Sequence, residues 1–107
     1  MNRPIRQGDI LLIPTATVPK TAQPVQPRNG QHILAEGEAT GHCHAVTGTD
    51  VDLLAVSDQV DRWLRVRSQD ALLAHPDHRP AISLPDADYI IRRQREYSPQ
   101  AIRYVAD

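Results

Sequence analysis

The chain has 107 residues, 40% of them hydrophobic, and its 12 basic and 13 acidic residues give a formal net charge of −1. This length predicts one domain, and the balanced charge excludes a general attraction to nucleic acid or to an anionic membrane surface. A single cysteine, Cys43, cannot form an internal disulfide, and no apolar segment approaches the roughly 20 residues that a membrane-spanning helix needs. Because the start of the chain also lacks the apolar run of a signal peptide, we expect a cytoplasmic protein.

Short apolar runs separated by turn residues predict a chain made of β-strands. The first run, Gly8 to Pro14, is short and rich in Ile and Leu, which favours a buried strand over a helix. Further predicted strands cover residues 32–36, 51–56, 62–67 and 89–97. Residues 70–74 fit either a strand or a turn of helix. We predict a mainly β fold of about seven short strands, a small β-barrel or β-sandwich, in a single domain over residues 1–107.

Three connections between these strands have distinct compositions. Residues 15–31 contain several prolines and no periodic pattern, which predicts a proline-rich loop or arm that crosses the surface. Residues 46–51 predict a hairpin turn in which Gly48 takes a positive φ. Residues 75–80 include two prolines and predict a loop.

Four of the five histidines lie in two close pairs along the chain. His42 and His44 flank Cys43, and on a regular strand their side chains point to the same face with Cα atoms about 7 Å apart. His75 and His78 form the second pair, later in the chain. Two imidazoles can ligate one ion from that separation, since a Zn–N bond is about 2.0–2.1 Å. The sequence therefore predicts a metal site formed by all four histidines, or by His42, His44 and one of the later pair.

Acidic residues accompany the first histidine pair. Glu36 and Glu38 have the same strand parity as the histidines, and Glu38 is the candidate fourth ligand or general base. Imidazole and carboxylate donors suit a divalent transition metal such as Zn, Ni, Mn or Fe. The least specific expectation for such a site is hydrolysis of a small-molecule or phosphate-containing substrate by a metal-activated water.

Other interpretations of these residues stay open. Two histidines can act as general acid and base on a phosphodiester without a metal, with Arg92, Arg93 or Arg95 holding the phosphate. The histidines can also be surface residues or core hydrogen-bonders. The chain is then a non-catalytic module, whose arginine-rich strand and proline-rich arm bind a protein or nucleic acid. Cys43 is predicted to be a small core residue, and Trp63 a half-buried one shielded by its neighbours.

Three segments of the chain resemble a family of short uncharacterised bacterial proteins: Glu36–His44, the pattern His75-x-x-His78-x-Pro80-x-Ile82-x-Leu84-Pro85, and Gln94–Pro99. The Gly-x-x-x-x-His-x-His portion of the first segment also resembles the first motif of the cupins. That resemblance implies a metal-binding β-barrel. Cupins place a glutamate a few residues after the second histidine, whereas residues 45–49 of this chain contain none.

Overall fold

A computed structural model describes residues 3–36, 43–76 and 78–93 of the chain. Within these ranges the chain forms ten β-strands and no helix, so no helix there could cross a membrane. The strands are β1 (Ile5–Gln7), β2 (Ile10–Thr15), β3 (Gln23–Pro24), β4 (His32–Glu36), β5 (Cys43–Thr47), β6 (Val51–Ala55), β7 (Arg62–Val66), β8 (Leu72–His75), β9 (His78–Ser83) and β10 (Ala87–Arg93).

The strands are arranged in two antiparallel sheets. The larger sheet has the order β1-β2-β10-β7-β6-β3, and the smaller has the order β4-β5-β8-β9. Over the described residues neither sheet closes into a barrel, and the arrangement is sandwich-like. The predicted mainly β fold is confirmed in its sandwich form.

The core lies between the two sheets and is built from alternate residues of facing strands. Leu12, Leu64 and Val66 of the larger sheet and Val46 and Leu73 of the smaller sheet are all fully buried. Because side chains alternate along a strand, the residues between them point to the outer faces. Burying each large apolar side chain stabilises the fold by about 1.5–3 kcal/mol. These residues therefore hold the two sheets together.

The structure has more strands than predicted because several are very short and one predicted loop is a hairpin. β1 has three residues and β3 has two. The prediction of a loop at residues 75–80 is wrong, since β8 ends at His75, β9 begins at His78, and these two residues pair with each other. Pro80 lies within β9, at an edge of the smaller sheet, where a proline is tolerated because its missing N–H need not pair with a neighbour.

The turn between β5 and β6 carries the chain from one sheet to the other. Gly48 has the predicted positive φ, at +140°, but the predicted hairpin is wrong because β5 and β6 belong to different sheets. A Cβ on Gly48 would lie 2.8 Å from the Ala71 Cα, so this close approach excludes a side chain. The Asp70 carboxylate accepts hydrogen bonds from the Thr49 amide and hydroxyl, each at 3.0 Å. These contacts fix the path between the sheets.

The proline-rich segment of residues 15–31 is partly tied to the larger sheet. β3 pairs with β6, and the Val25 amide donates to the Leu53 carbonyl at 2.7 Å. Beyond it, Asn29 and Gly30 have φ of +52° and +77° and form a tight turn. Asn-Gly is the pair that such a two-residue turn favours, a signal that the proline content obscured in the sequence. The segment is therefore not simply a free arm.

Candidate functional site

Two of the four predicted histidine ligands meet at one end of the smaller sheet. Ala45 of β5 pairs with Ala74 of β8, and His44 and His75 are the next residues along the two strands. Their ring centroids are 4.3 Å apart, with the ring planes tilted by 40°. His44 is buried, at 6% exposure, and His75 is half-buried. The structure thus brings together one member of each histidine pair.

Of the remaining predicted site residues, the structure describes only the backbone of His78. The His78 backbone lies directly opposite His75 across the β8–β9 pair, so His44, His75 and His78 occupy neighbouring strands. His42 and Glu38 lie outside the described residues. The shared four-histidine site therefore stays a prediction.

A glutamine that the sequence did not single out holds His44 in place. Gln7, at the end of β1, is 3% exposed, and its Oε1 lies 2.9 Å from His44 Nδ1. The Gln7 amide nitrogen donates to the Leu73 carbonyl at 3.2 Å. This one side chain connects the larger sheet to both β5 and β8.

The Gln7 contacts also determine the tautomer of His44. A backbone carbonyl can only accept a hydrogen bond, so the Gln7 atom facing Leu73 must be the amide nitrogen. Its Oε1 then faces His44 Nδ1, and an amide oxygen can only accept. Nδ1 of His44 therefore carries a proton. In the neutral imidazole this leaves the lone pair on Nε2, the nitrogen that can bind a metal or accept a proton.

Asp9 lies in front of that Nε2. It follows Gly8 in the β1–β2 turn, where Gly8 has a φ of +60°, and its Oδ1 is 3.4 Å from His44 Nε2. Its Oδ2 accepts a hydrogen bond from Arg93 Nε at 2.6 Å. Burial alone would raise the pKa of Asp9, but the hydrogen bond from Arg93 and the positive charge of Arg93 hold it below the ordinary 3.8. At neutral pH a carboxylate anion therefore faces His44.

The cluster of Gln7, Asp9, His44, His75 and Arg93, here called the His44 cluster, combines ligands and proton carriers. It holds two imidazoles, one ionised carboxylate and one guanidinium. In the ranges 3–36, 43–76 and 78–93 no three His, Cys, Asp or Glu side chains form a ready metal-binding group. The described part of the cluster offers a partial ligand set.

Two neighbouring residues lie apart from these contacts. Cys43 is half-buried and free, and it lies opposite Glu36 in the β4–β5 pair. The prediction of a core cysteine is only partly met, because Cys43 is half-buried and does not belong to the core cluster that contains Val46. His32 on β4 pairs with Val46, and its Nδ1 is buried with no hydrogen-bond partner in the described structure.

The arginine-rich strands use their charges within the protein. Arg92 lies 3.8 Å from Asp61, and Arg65 lies 3.1 Å from Asp88. Trp63 is only 6% exposed, so its ring is shielded as predicted but is buried rather than half-buried, and it is not available to stack on a base or ligand. This leaves the His44 cluster as the best candidate site among the described residues.

A family model described as a domain of unknown function, DUF8820, matches residues 6–94. The chain belongs to this family. No curated protein and no solved structure matches the chain.

In this DUF8820 chain, sequence reasoning missed three members of the His44 cluster or gave them another role. Gln7 and Asp9 flank a glycine just before the first apolar run, a pattern that indicates a hairpin turn but not what its side chains contact. Arg93 was a candidate phosphate contact, and the structure pairs it with Asp9. The contacts of Gln7 and Asp9 span 37 and 84 positions along the chain. They depend on sheet order, which local patterns do not reveal.

Proposed function

We propose that this protein binds a divalent transition metal at the His44 cluster, with His44 Nε2 and Asp9 as the first two ligands. His75 is the candidate third, and because the three side chains do not form a ready metal-binding group as they stand, its ring has to reorient on binding. A resident Zn²⁺ would supply a bound water with a pKa near 7, suited to hydrolysis of a small substrate. The metal-dependent hydrolase is thus the finer form of the proposal, and metal binding is its first requirement.

The separation of His44 Nε2 and Asp9 Oδ1 carries this proposal. Ligands at about 2.0–2.1 Å from a tetrahedral zinc are about 3.3–3.4 Å from one another, by the geometry of a tetrahedron. The two atoms are 3.4 Å apart, which is long for a charge-assisted hydrogen bond of about 2.7–2.9 Å. The separation therefore matches two corners of a zinc tetrahedron, and it is also within the range of an ion pair.

Three further features support the metal. Gln7 accepts from Nδ1 of His44, the arrangement that commonly orients a metal-bound histidine. The His75 ring lies beside His44, 4.3 Å between centroids. The low pKa of Asp9 keeps it an anion, the form that ligates a cation. His42, His78 and Glu38 are the sequence-based candidates for a further ligand or base.

The experiment is metal analysis of protein purified without a histidine tag. We expect about one equivalent of bound Zn, Ni, Mn or Fe, or uptake of one equivalent when each is added. His44→Gln and His75→Gln should each weaken Zn²⁺ affinity at least tenfold, as expected for loss of a ligand. His32→Gln is the matched control, because His32 lies on the neighbouring strand and pairs with Val46 rather than with the cluster.

The proposal fails if the wild type takes up none of these metals. It also fails if His44→Gln and His75→Gln bind Zn²⁺ as tightly as His32→Gln does. Circular dichroism of each variant separates loss of a ligand from loss of the fold.

The other function considered, a non-catalytic module that binds a protein or nucleic acid, has weaker support. It requires arginines that are free to contact a partner. Arg92 and Arg93 instead lie within 4 Å of Asp61 and Asp9, at 3.8 and 2.6 Å.

A further inference from the structure

We propose that the Asn29-Gly30 turn is a modification site, at which Asn29 loses its side-chain amide without an enzyme and becomes aspartate or isoaspartate. The inference is independent of the proposed metal function. It rests on the conformation, the exposure and the hydrogen bonds of this one turn.

The reaction needs water as its only co-reactant. The Gly30 backbone nitrogen loses its proton and attacks Cγ of Asn29, which closes a succinimide ring and expels the side-chain nitrogen as ammonia. Water then adds to one of the two ring carbonyls and opens the ring. Opening on one side gives aspartate. Opening on the other side gives isoaspartate, in which the main chain runs through the former side-chain carbonyl.

The turn leaves the attacking nitrogen accessible. Glycine has no Cβ, so no side chain on Gly30 hinders ring closure. Within the described chain, a Cβ built on Gly30 would meet no heavy atom within 4 Å, so nothing packs over this side of the turn. Asn29 and Gly30 are both exposed, and solvent therefore reaches the reacting atoms.

The hydrogen bonds that close the turn belong to its outer residues. The Arg28 amide donates to the Gln31 carbonyl at 2.8 Å, and the Gln31 amide donates to the Arg28 carbonyl at 2.9 Å. Closure therefore does not depend on the Gly30 amide as a donor. The φ values of Asn29 and Gly30, +52° and +77°, are both positive, as a type I′ turn requires.

Ring closure requires the backbone and side chain of Asn29 to rotate, so the turn has to open transiently. The Arg28–Gln31 bridge is isolated, because neither residue belongs to a strand. Exposed hydrogen bonds outside the sheets open at little cost in free energy. The folded protein should therefore react at Asn29 without global unfolding.

The two products differ in what they do to the turn. Asp-Gly favours the same turn as Asn-Gly, so the aspartate form keeps the Arg28–Gln31 bridge. Isoaspartate lengthens the main chain by one carbon, so the bridge has to shift or break, next to the start of β4 at His32. Either product makes the chain one charge more negative than its formal −1.

The test is incubation of the folded protein at mildly alkaline pH, followed by ion-exchange chromatography and peptide mapping by mass spectrometry. We expect acidic forms to accumulate and their change in mass to map to Asn29. The other asparagine in the chain, Asn2, precedes Arg3 and is the internal reference. It should react at least about tenfold more slowly, a factor equivalent to about 1.4 kcal/mol at the transition state.

Two variants make the result specific. Gly30→Ala adds a Cβ beside the attacking nitrogen and should slow the reaction at Asn29 at least about tenfold. Asn29→Asp keeps a pair that favours the turn and has no amide to lose, so it should elute with the acidic form from the start and become no more acidic.

A urea-unfolded sample of the wild type completes the test. If Asn29 reacts in the unfolded chain and stays intact in the folded protein, the turn protects the residue and the inference is wrong. Equal rates at Asn29 in wild type and Gly30→Ala also overturn it, because access to the Gly30 nitrogen then does not control the reaction. Acidic forms that map to a residue other than Asn29 would overturn it as well. None of these measurements involves a metal, so the proposed function is judged separately.

Discussion

Replacing Gln7 with methionine removes the amide that links the two sheets beside His44. Methionine has nearly the same length and shape, so the substitution deletes hydrogen bonds with little change in packing. The Leu73 carbonyl loses the donor that lies 3.2 Å away, and His44 Nδ1 loses the acceptor that lies 2.9 Å away.

The structure gives the size of the loss. A buried polar group left without its hydrogen bond costs about 1–3 kcal/mol, and the Leu73 carbonyl meets that description. The lost hydrogen bond of His44 costs less, because a neutral imidazole can carry its proton on Nε2 instead of Nδ1. The Asp9 carboxylate then accepts the hydrogen bond from Nε2. The expected destabilisation is therefore about 1–3 kcal/mol, out of the 5–15 kcal/mol typical of a domain.

The assay is urea unfolding followed by circular dichroism, combined with nitrogen-15 spectra of the histidine side chains. With a slope of about 1–3 kcal/mol per molar urea, the midpoint should fall by roughly 1 M. In the wild type without metal, His44 should show the Nδ1–H tautomer, and Gln7→Met should shift it toward Nε2–H. Because that tautomer occupies the proposed ligand nitrogen, Zn²⁺ affinity should fall in the same variant.

Gln23→Met is the control, since Gln23 is exposed on β3 and a surface substitution there should stay within about 0.5 kcal/mol. The reasoning is refuted if Gln7→Met unfolds at the same urea concentration as Gln23→Met. An unchanged His44 tautomer in Gln7→Met would refute the role of Gln7 in setting the ligand nitrogen, even with a loss of stability.

Four further outcomes are expected. Gly48→Ala should lose about 1–3 kcal/mol in thermal unfolding, because it forces a side chain into positive φ and against a neighbouring backbone; wild-type melting would contradict this. The nearby Ser68 side chain and the hydrogen bonds from the Thr49 amide and hydroxyl hold the pKa of Asp70 below 3.8, so its stabilisation is present above pH 3.8 and lost as the pH falls through the lower folded value. The stability difference between wild type and Asp70→Asn should therefore shrink below pH 3.8 in acid-unfolding curves, and a constant difference would argue against the carboxylate. Cys43→Ala should keep its metal content in elemental analysis and lose only about 1 kcal/mol, whereas loss of metal would make the thiol a ligand. Limited proteolysis should cut first within residues 16–22, which precede the strand pairing of β3; a first cut elsewhere would show that this stretch is packed.

The strands and their buried faces could be predicted because they follow from local alternation. In residues 62–67 the sequence separates Leu64 and Val66 from Trp63, and the structure places the first two in the core between the sheets. Sheet membership could not be predicted in the same way. A positive φ at Gly48 is compatible with a hairpin within one sheet and with a crossover between two sheets. Which of the two forms depends on how the two sheets pack against each other, and local sequence does not show this.

For the candidate site too, the residues with a local sequence pattern could be predicted and the others could not. His44 and His75 could be predicted as partners because each belongs to a conspicuous local pair on its own strand. Their shared site depended on β5 and β8 being neighbours, which the fold supplies. Gln7 and Arg93 carried no such local mark. Glutamine and arginine are usually surface residues. Gln7 and Arg93 belong to the site only because of contacts that form once the sheets are assembled.

The pairing of β2 with β10 has a consequence for the synthesis of the chain. β2 leaves the ribosome well before β10, the last of the ten described strands, yet the two are neighbours in the larger sheet. Until β10 emerges, one side of β2 has no strand to pair with. Asp9 also lacks its hydrogen-bond donor Arg93, which lies 84 positions away along the chain. Such distant pairings form late, because the chain must close a long loop first. A nascent chain released before Arg93 would therefore present an open strand edge and an incomplete His44 cluster. Ligand binding by this protein would then serve as a direct readout that the chain has been made through β10 and has folded.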